Sequence, residues 1–122
     1  MTTNADFKAR LTGREPLVGA FIKTPHPIII EVMARAGFDF LVVDAEHAPF
    51  DRGSTDTMVM AGRALGCPIV VRVPVATPDW VLSVLDAGAA GVMVPHVETV
   101  QQAEALAKSN KSPKLRLSQA HV

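Results

Sequence analysis

A chain of 122 residues with 48% apolar content has room for one globular domain and little more. Its 12 basic residues balance its 12 acidic ones, and zero net charge argues against nucleic acid or an anionic membrane as the main partner. The single cysteine, Cys67, excludes an intrachain disulfide, and no Cys/His cluster has the spacing of a structural zinc site. No apolar run approaches the ~18 residues of a membrane span, and residues 1–6 lack the basic and apolar blocks of a secretory leader. A reducing, cytoplasmic setting is the expectation.

The pattern predicts a first helix over 4–11, with Asn4 as N-cap and Gly13 just past its end, placed as a lid on the bottom or side of the fold. A short apolar block at 17–22 reads as the first strand. Pro27, suited to a first turn, opens a second helix that Gly37 ends. The second strand spans 39–44, and its Phe40-Leu41-Val42-Val43 run is apolar on both faces, as parallel strands are. A third helix begins at Ser54 as cap and stops at Gly66, and the third strand follows at 68–73. Thr77-Pro78 opens a fourth helix ending near Gly88, with Trp80, Val81, Val84 and Leu85 on its packed face. The fourth strand lies at 90–94. Thr99, with Gln102 three residues on, forms a capping box for a fifth helix carrying Val100, Ala103 and Leu106 inward.

Strand–helix–strand alternation with short connections gives an α/β fold with a parallel sheet and right-handed crossovers. Strand centres near 19, 42, 71 and 93 repeat at the rhythm of a (β/α)8 TIM barrel, whose usual length of ~250 residues is about twice that present. The chain therefore reads as the N-terminal half of such a barrel, about four parallel strands with flanking helices over 1–108.

Catalytic groups in parallel α/β folds gather where strands end and helices begin. Asp44 closes the second strand and leads into Ala45-Glu46-His47-Ala48-Pro49, Arg72 closes the third, and His96 follows the fourth. A guanidinium inside Val70-Val71-Arg72-Val73 must find a carboxylate or another anion, and an anion-binding role is preferred to an internal salt bridge with Asp44. His47, beside acids in a loop, suits a general base working near neutrality, although a solvated loop histidine is the plainer reading.

Gly37-Phe38-Asp39-Phe40-Leu41-Val42-Val43-Asp44-Ala45-Glu46-His47-Ala48-Pro49, Val70-Val71-Arg72-Val73, Leu85-Asp86-Ala87-Gly88-Ala89 and Val94-Pro95-His96-Val97 together resemble the HpcH/HpaI aldolase/citrate lyase family. The resemblance covers about residues 6–108 and is narrower to its metal-dependent 2-oxo acid aldolases, of the 4-hydroxy-2-oxoheptanedioate and 2-dehydro-3-deoxyglucarate kinds. It implies that His47 acts on the aldol hydroxyl proton through a metal-bound water, with Asp86 as its acidic partner. It further implies that Arg72 holds the pyruvate carboxylate and steadies the enolate, while Asp44 stands near the metal-bound water. Mg2+, Mn2+ or Co2+ is the implied cofactor. Glu31 is expected on a solvated or ion-paired face, Glu46 as a loop-shaping residue, His26 in a turn and Cys67 as structural; Trp80, Met58 and Met60 are expected in packing. His96 is either a mouth residue or a plain loop residue. Lys23, at the end of the first strand, is not used by the family as a Schiff base.

The family's metal is held by a Glu and an Asp on later strands, and no metal ligand is assigned within this chain. After Lys108 the family runs into a Gly-rich segment, whereas 109–122 contains no glycine; this divergent tail has the look of a truncation or shifted frame and is expected to be poorly ordered. Half a barrel leaves apolar strand edges to be covered, by a second copy or by another barrel subunit. Two functions follow. The first is an aldehyde-lyase cleaving 4-hydroxy-2-oxo acids to pyruvate and an aldehyde; the second is a truncated, inactive member that serves at most as a carboxylate-binding or assembly module. A small doubly wound binding domain would need a Gly-rich phosphate loop, and Phe21-Ile22-Lys23-Thr24-Pro25-His26 is not one.

Overall fold

The computed structural model describes residues 2–108 and the backbone of a strand at Leu115–Ser118. Ten elements alternate along the chain: α1 (Asn4–Thr12), β1 (Gly19–Ile22), α2 (Pro27–Arg35), β2 (Phe40–Asp44), α3 (Arg52–Leu65), β3 (Ile69–Arg72), α4 (Pro78–Asp86), β4 (Gly91–Val94), α5 (Val100–Lys108) and β5 (Leu115–Ser118). The strands lie in sequence order in one sheet, every neighbouring pair parallel. This is the wall of a partial barrel. β5 adds a fifth strand to the four expected, and it falls in the segment for which a poorly ordered tail was expected. The remainder of that tail, 109–114 and 119–122, lies outside the described residues.

Helix boundaries are set by caps. Thr3, not Asn4, caps α1, because a capping box needs an acceptor three residues on: Asp6 answers Thr3, whereas Phe7 stands opposite Asn4. Asn4 instead donates its side-chain N–H to the Gly88 carbonyl at 3.0 Å. α3 starts earlier than expected, since Asp51 is the cap and Ser54 its reciprocal partner. The Thr99–Gln102 box at the start of α5 forms as expected. Gly66 ends α3 in the left-handed region (φ 64°), letting the Cys67 N–H reach the Gly62 carbonyl at 2.9 Å.

Alternation along the strands makes two faces. Leu41 and Val43, Ile69, Val71 and Val73, and Val92 and Val94 point outward and bury Ile30, Met58, Val59, Val81, Val84 and Leu85 of the helices. The inner face carries Phe40, Val42, Val70 and Met93, floored by Phe7 of α1, whose ring centroid lies 5.2 Å from that of Phe40. The Thr2 N–H and Asn4 side chain bind the Gly66 and Gly88 carbonyls, in the turns that lead into β3 and β4. α1 is therefore a plug at the N-terminal end of the sheet, which makes the expected lid specific. On α5, Val100 and Ala103 are exposed and Leu106 alone of the expected inward set packs on the core. Met60, expected in core or interface packing, is likewise exposed and lies outside the core.

α3 crosses β3 at Gly62, where a Cβ would overlap Ile69 and come within 2.8 Å of the Cys67 carbonyl oxygen. Gly62→Ala is expected to lower stability by about 1–3 kcal/mol through this overpacking, despite the helix propensity of alanine, read as a lower urea midpoint.

Candidate active site

Register builds the centre of the site. Asp44 is the last residue of β2 and Arg72 the last of β3, and the parallel pairing sets them directly opposite. The side chains form a fork: Arg72 Nε donates to Asp44 Oδ1 at 3.0 Å and Nη2 donates to Oδ2 at 2.6 Å. The Arg72 guanidinium also stacks 4.7 Å from the centre of the Phe21 ring on β1. Asp44 is fully buried and the Arg72 side chain only 11% exposed. Burial pushes the Asp44 carboxyl up, but the Arg72 fork, the His47 N–H, the Arg72 charge and the Glu46 N–H outweigh it and hold the group below the ordinary carboxylate range. The internal ion pair that the sequence reading placed second is thus the one the structure forms. The paired guanidinium keeps its positive charge.

Asp44 Oδ1 also accepts the backbone N–H groups of Glu46 (3.1 Å) and His47 (3.0 Å), pinning the β2–α3 turn. Asp44, then, shapes the loop, the part expected of Glu46. The turn sends alternate side chains opposite ways: Glu46 goes in, 7% exposed, and His47 goes out, 57% exposed. His47 Nε2 lies 2.6 Å from Glu46 Oε1, and His96 Nε2 approaches Oε2 of the same carboxylate at 3.7 Å. His96 follows β4 in the left-handed region (φ 57°), a strained conformation for a residue with a Cβ. It also borders a cleft of about 260 Å³ with Ala76, Pro78, Val97 and Leu106.

Asp44, His47, Arg72 and His96 are therefore brought to one end of the sheet, and Glu46 joins them. Asp86, expected beside His47, is not brought there. A helix that follows a strand runs back along it, so Asp86, last in α4, stands exposed at the end where β4 begins. His26 caps α2, its Nδ1 accepting the Ile28 N–H at 3.2 Å, which confirms its turn role. Glu31 pairs with Arg35 one turn on at 3.3 Å, on an exposed face. Lys23 is exposed, and burial pushes the Cys67 thiol up, away from reactivity. Trp80 is half-buried beneath Arg52, 5.2 Å from its ring centre. Among the described residues no three His, Cys, Asp or Glu side chains group as metal ligands. Glu46 and the two imidazoles come nearest to it, but His47 touches the carboxylate directly. The described residues thus do not themselves form the metal site the family resemblance implies.

Parallel strands in sequence order, plugged at one end and carrying their charged groups at the other, define a partial (β/α)8 barrel. The sequence profile of HpcH/HpaI aldolase/citrate lyase matches residues 17–121. A 5-keto-4-deoxy-D-glucarate aldolase of Klebsiella pneumoniae is 39% identical over 107 residues, covering 88% of this chain and 42% of its own length. Among solved structures, citrate synthase SbnG is 36% identical with a TM-score of 0.78, over 88% of this chain and 44% of that one. A family protein from Burkholderia cenocepacia J2315 is 35% identical with a TM-score of 0.80, over 92% and 44%. The chain belongs to the HpcH/HpaI aldolase/citrate lyase family, and it spans less than half the length of the relatives it matches. No helix among the described residues is long and apolar enough to cross a membrane.

Removing the Arg72 charge strands a buried carboxylate. Arg72→Met is expected to cost about 3 kcal/mol or more at neutral pH. In the parent, a carboxyl held low contributes stability above its ordinary pKa of about 3.9, lost as pH falls through its depressed folded value. In the variant, burial is opposed only by the His47 and Glu46 N–H groups, so that pKa rises from its parent position and acid relieves the defect. The difference in urea midpoint between the two proteins should shrink steadily below neutrality; a constant gap would show that Asp44 is not ionised against Arg72.

Proposed function

We propose that this chain carries the proton-transferring and carboxylate-holding groups for reversible cleavage of a 4-hydroxy-2-oxo acid to pyruvate and an aldehyde. One observation carries the reading: a loop histidine and a fork-held arginine stand together at the C-terminal strand ends, in a family whose members bear the name aldolase. His47 is the general base. It takes the proton of the C4 hydroxyl, the C3–C4 bond breaks, the aldehyde leaves, and the electron pair passes to C3 and the 2-oxo group as the pyruvate enolate. The proton held on His47 then passes to C3, which yields pyruvate and restores the base. Arg72 places fixed positive charge beside the substrate carboxylate and the growing enolate, and Asp44 keeps its plane fixed. Asp44 thus acts through Arg72 and the turn.

Family membership implies a divalent metal, which would polarise the 2-oxo group as a Lewis acid. The 36% identity to a citrate synthase favours a second reading in which the same enolate attacks a carbonyl partner and forms a carbon–carbon bond. The alternative without catalysis is a carboxylate-binding or assembly module. The edge of β1, with Val18 and Phe21 exposed beside it, is expected to be covered by a second copy or another barrel subunit.

Exchange of pyruvate methyl protons into D2O, followed by NMR with Mg2+ or Mn2+, tests the enolate step without knowledge of the aldehyde. Exchange above the metal-only control is expected, falling about 100-fold or more in His47→Ala. Arg72→Lys keeps the charge but loses the fork, and should weaken pyruvate binding. A folded sample without exchange leaves the binding or assembly module; unchanged pyruvate affinity in Arg72→Lys refutes the carboxylate role.

A further inference from the structure

The aldol cleavage proposed above is written without Glu46. Asp44 and Arg72 are joined by a two-bond fork across the strand ends. Glu46 is as deeply placed, its side chain 7% exposed, yet neither of its oxygens has a hydrogen bond of ordinary geometry. A buried carboxylate in that condition is costly and calls for a cause. Two imidazoles converge on it from different strands: Nε2 of His47 at 2.6 Å from Oε1, and Nε2 of His96 at 3.7 Å from Oε2. Bringing His96 there uses a left-handed backbone at φ 57°, a conformation that is kept at a non-glycine residue only when surrounding contacts hold it.

We infer that Glu46 is a positioning residue that bridges His47 and His96, fixing the His47 proton on Nε2 and leaving Nδ1 as its basic atom. An imidazole nitrogen facing a carboxylate keeps its proton, and the lone pair then belongs to the other nitrogen. The 2.6 Å contact lies off the hydrogen-bond axis, and rotation about the soft χ2 of His47 closes it. Each oxygen of Glu46 then has a donor, one from the β2–α3 turn and one from the β4–α5 turn, so two separate loops move as one. The consequence for catalysis rests on His47 being the general base of the proposed reaction; the bridge itself does not.

The test is 15N NMR of the histidine rings of the full chain, recorded over a pH series and read on the limb where the spectra themselves show neutral rings. Wild-type His47 is expected to show a pyrrole-type Nε2 and a pyridine-type Nδ1. Glu46→Gln, nearly isosteric, should turn His47 into a mixture of tautomers and move the His96 ring resonances with it. The same variant should slow pyruvate proton exchange by about tenfold or more. A wild-type His47 protonated on Nδ1 overturns the bridge without need of any variant. So does a folded Glu46→Gln protein with both rings unmoved. If the ring signature holds while wild-type protein fails to exchange pyruvate protons, the bridge stands and the aldol reading falls.

Discussion

The buried Asp44–Arg72 fork is the interaction on which the rest of this structure depends. An arginine cannot end an inward-facing strand unless an anion meets it, and parallel pairing puts Asp44 at the same level on the neighbouring strand. A slip of one residue in either strand would send its charge into the apolar layer beneath the helices and leave the other unmatched. The ion pair therefore specifies register as well as charge. Because the same carboxylate also accepts two backbone N–H groups from the following turn, register and loop shape come from one residue. The loop in turn decides that Glu46 faces in and His47 faces out.

Around that level the inner face is graded. Phe7 and Phe40 close the floor, Val42 and Val70 form the layer above, and Asp44 and Arg72 come next. The outer face is apolar throughout and anchors the helices. Such a gradient puts polar groups where the strand-to-helix turns supply backbone donors to satisfy them, and it leaves the opposite end free for a hydrophobic plug. The left-handed His96 sits on the same polar rim. The buried ion pair, the unsatisfied Glu46 carboxylate and the left-handed His96 thus share one end of the sheet, as in sites whose geometry serves chemistry rather than stability.

Much of this is written locally. Period and punctuation place the four strands from β1 to β4 within a residue or two, because β-branched runs bounded by glycine and proline allow few alternatives. Errors arose where two residues competed for one role. Asn4 and Ser54 are both good caps, but the reciprocal partner three residues away decides, and that favours Thr3 and Asp51. Asp86 ends α4, and the direction of that helix sets it away from the Asp44–Arg72 end of its own chain. Val100 has a helical period suited to burial, yet burial needs a neighbouring surface, which a period does not specify. Glu46 was the residue sequence reasoning undervalued. Its neighbour His47 gave the only local signal, and the approach of His96, fifty residues on, is a tertiary fact.

Charge at the rim constrains what can enter. Asp44 and Arg72 cancel, so Glu46 is the uncompensated charge of the cluster, and Coulomb attraction from it strengthens the hold of Arg72 on its own proton. A 2-oxo acid brings a second carboxylate toward that group. In a partly desolvated mouth two like charges repel more strongly than in water, and Arg72, already committed to Asp44, offsets only part of this. Binding an anion at this rim therefore needs further positive potential, from the imidazole N–H groups of His47 and His96 or from a divalent cation. The family to which the chain belongs implies the cation; the two histidines around Glu46 are the part of that compensation this chain holds itself.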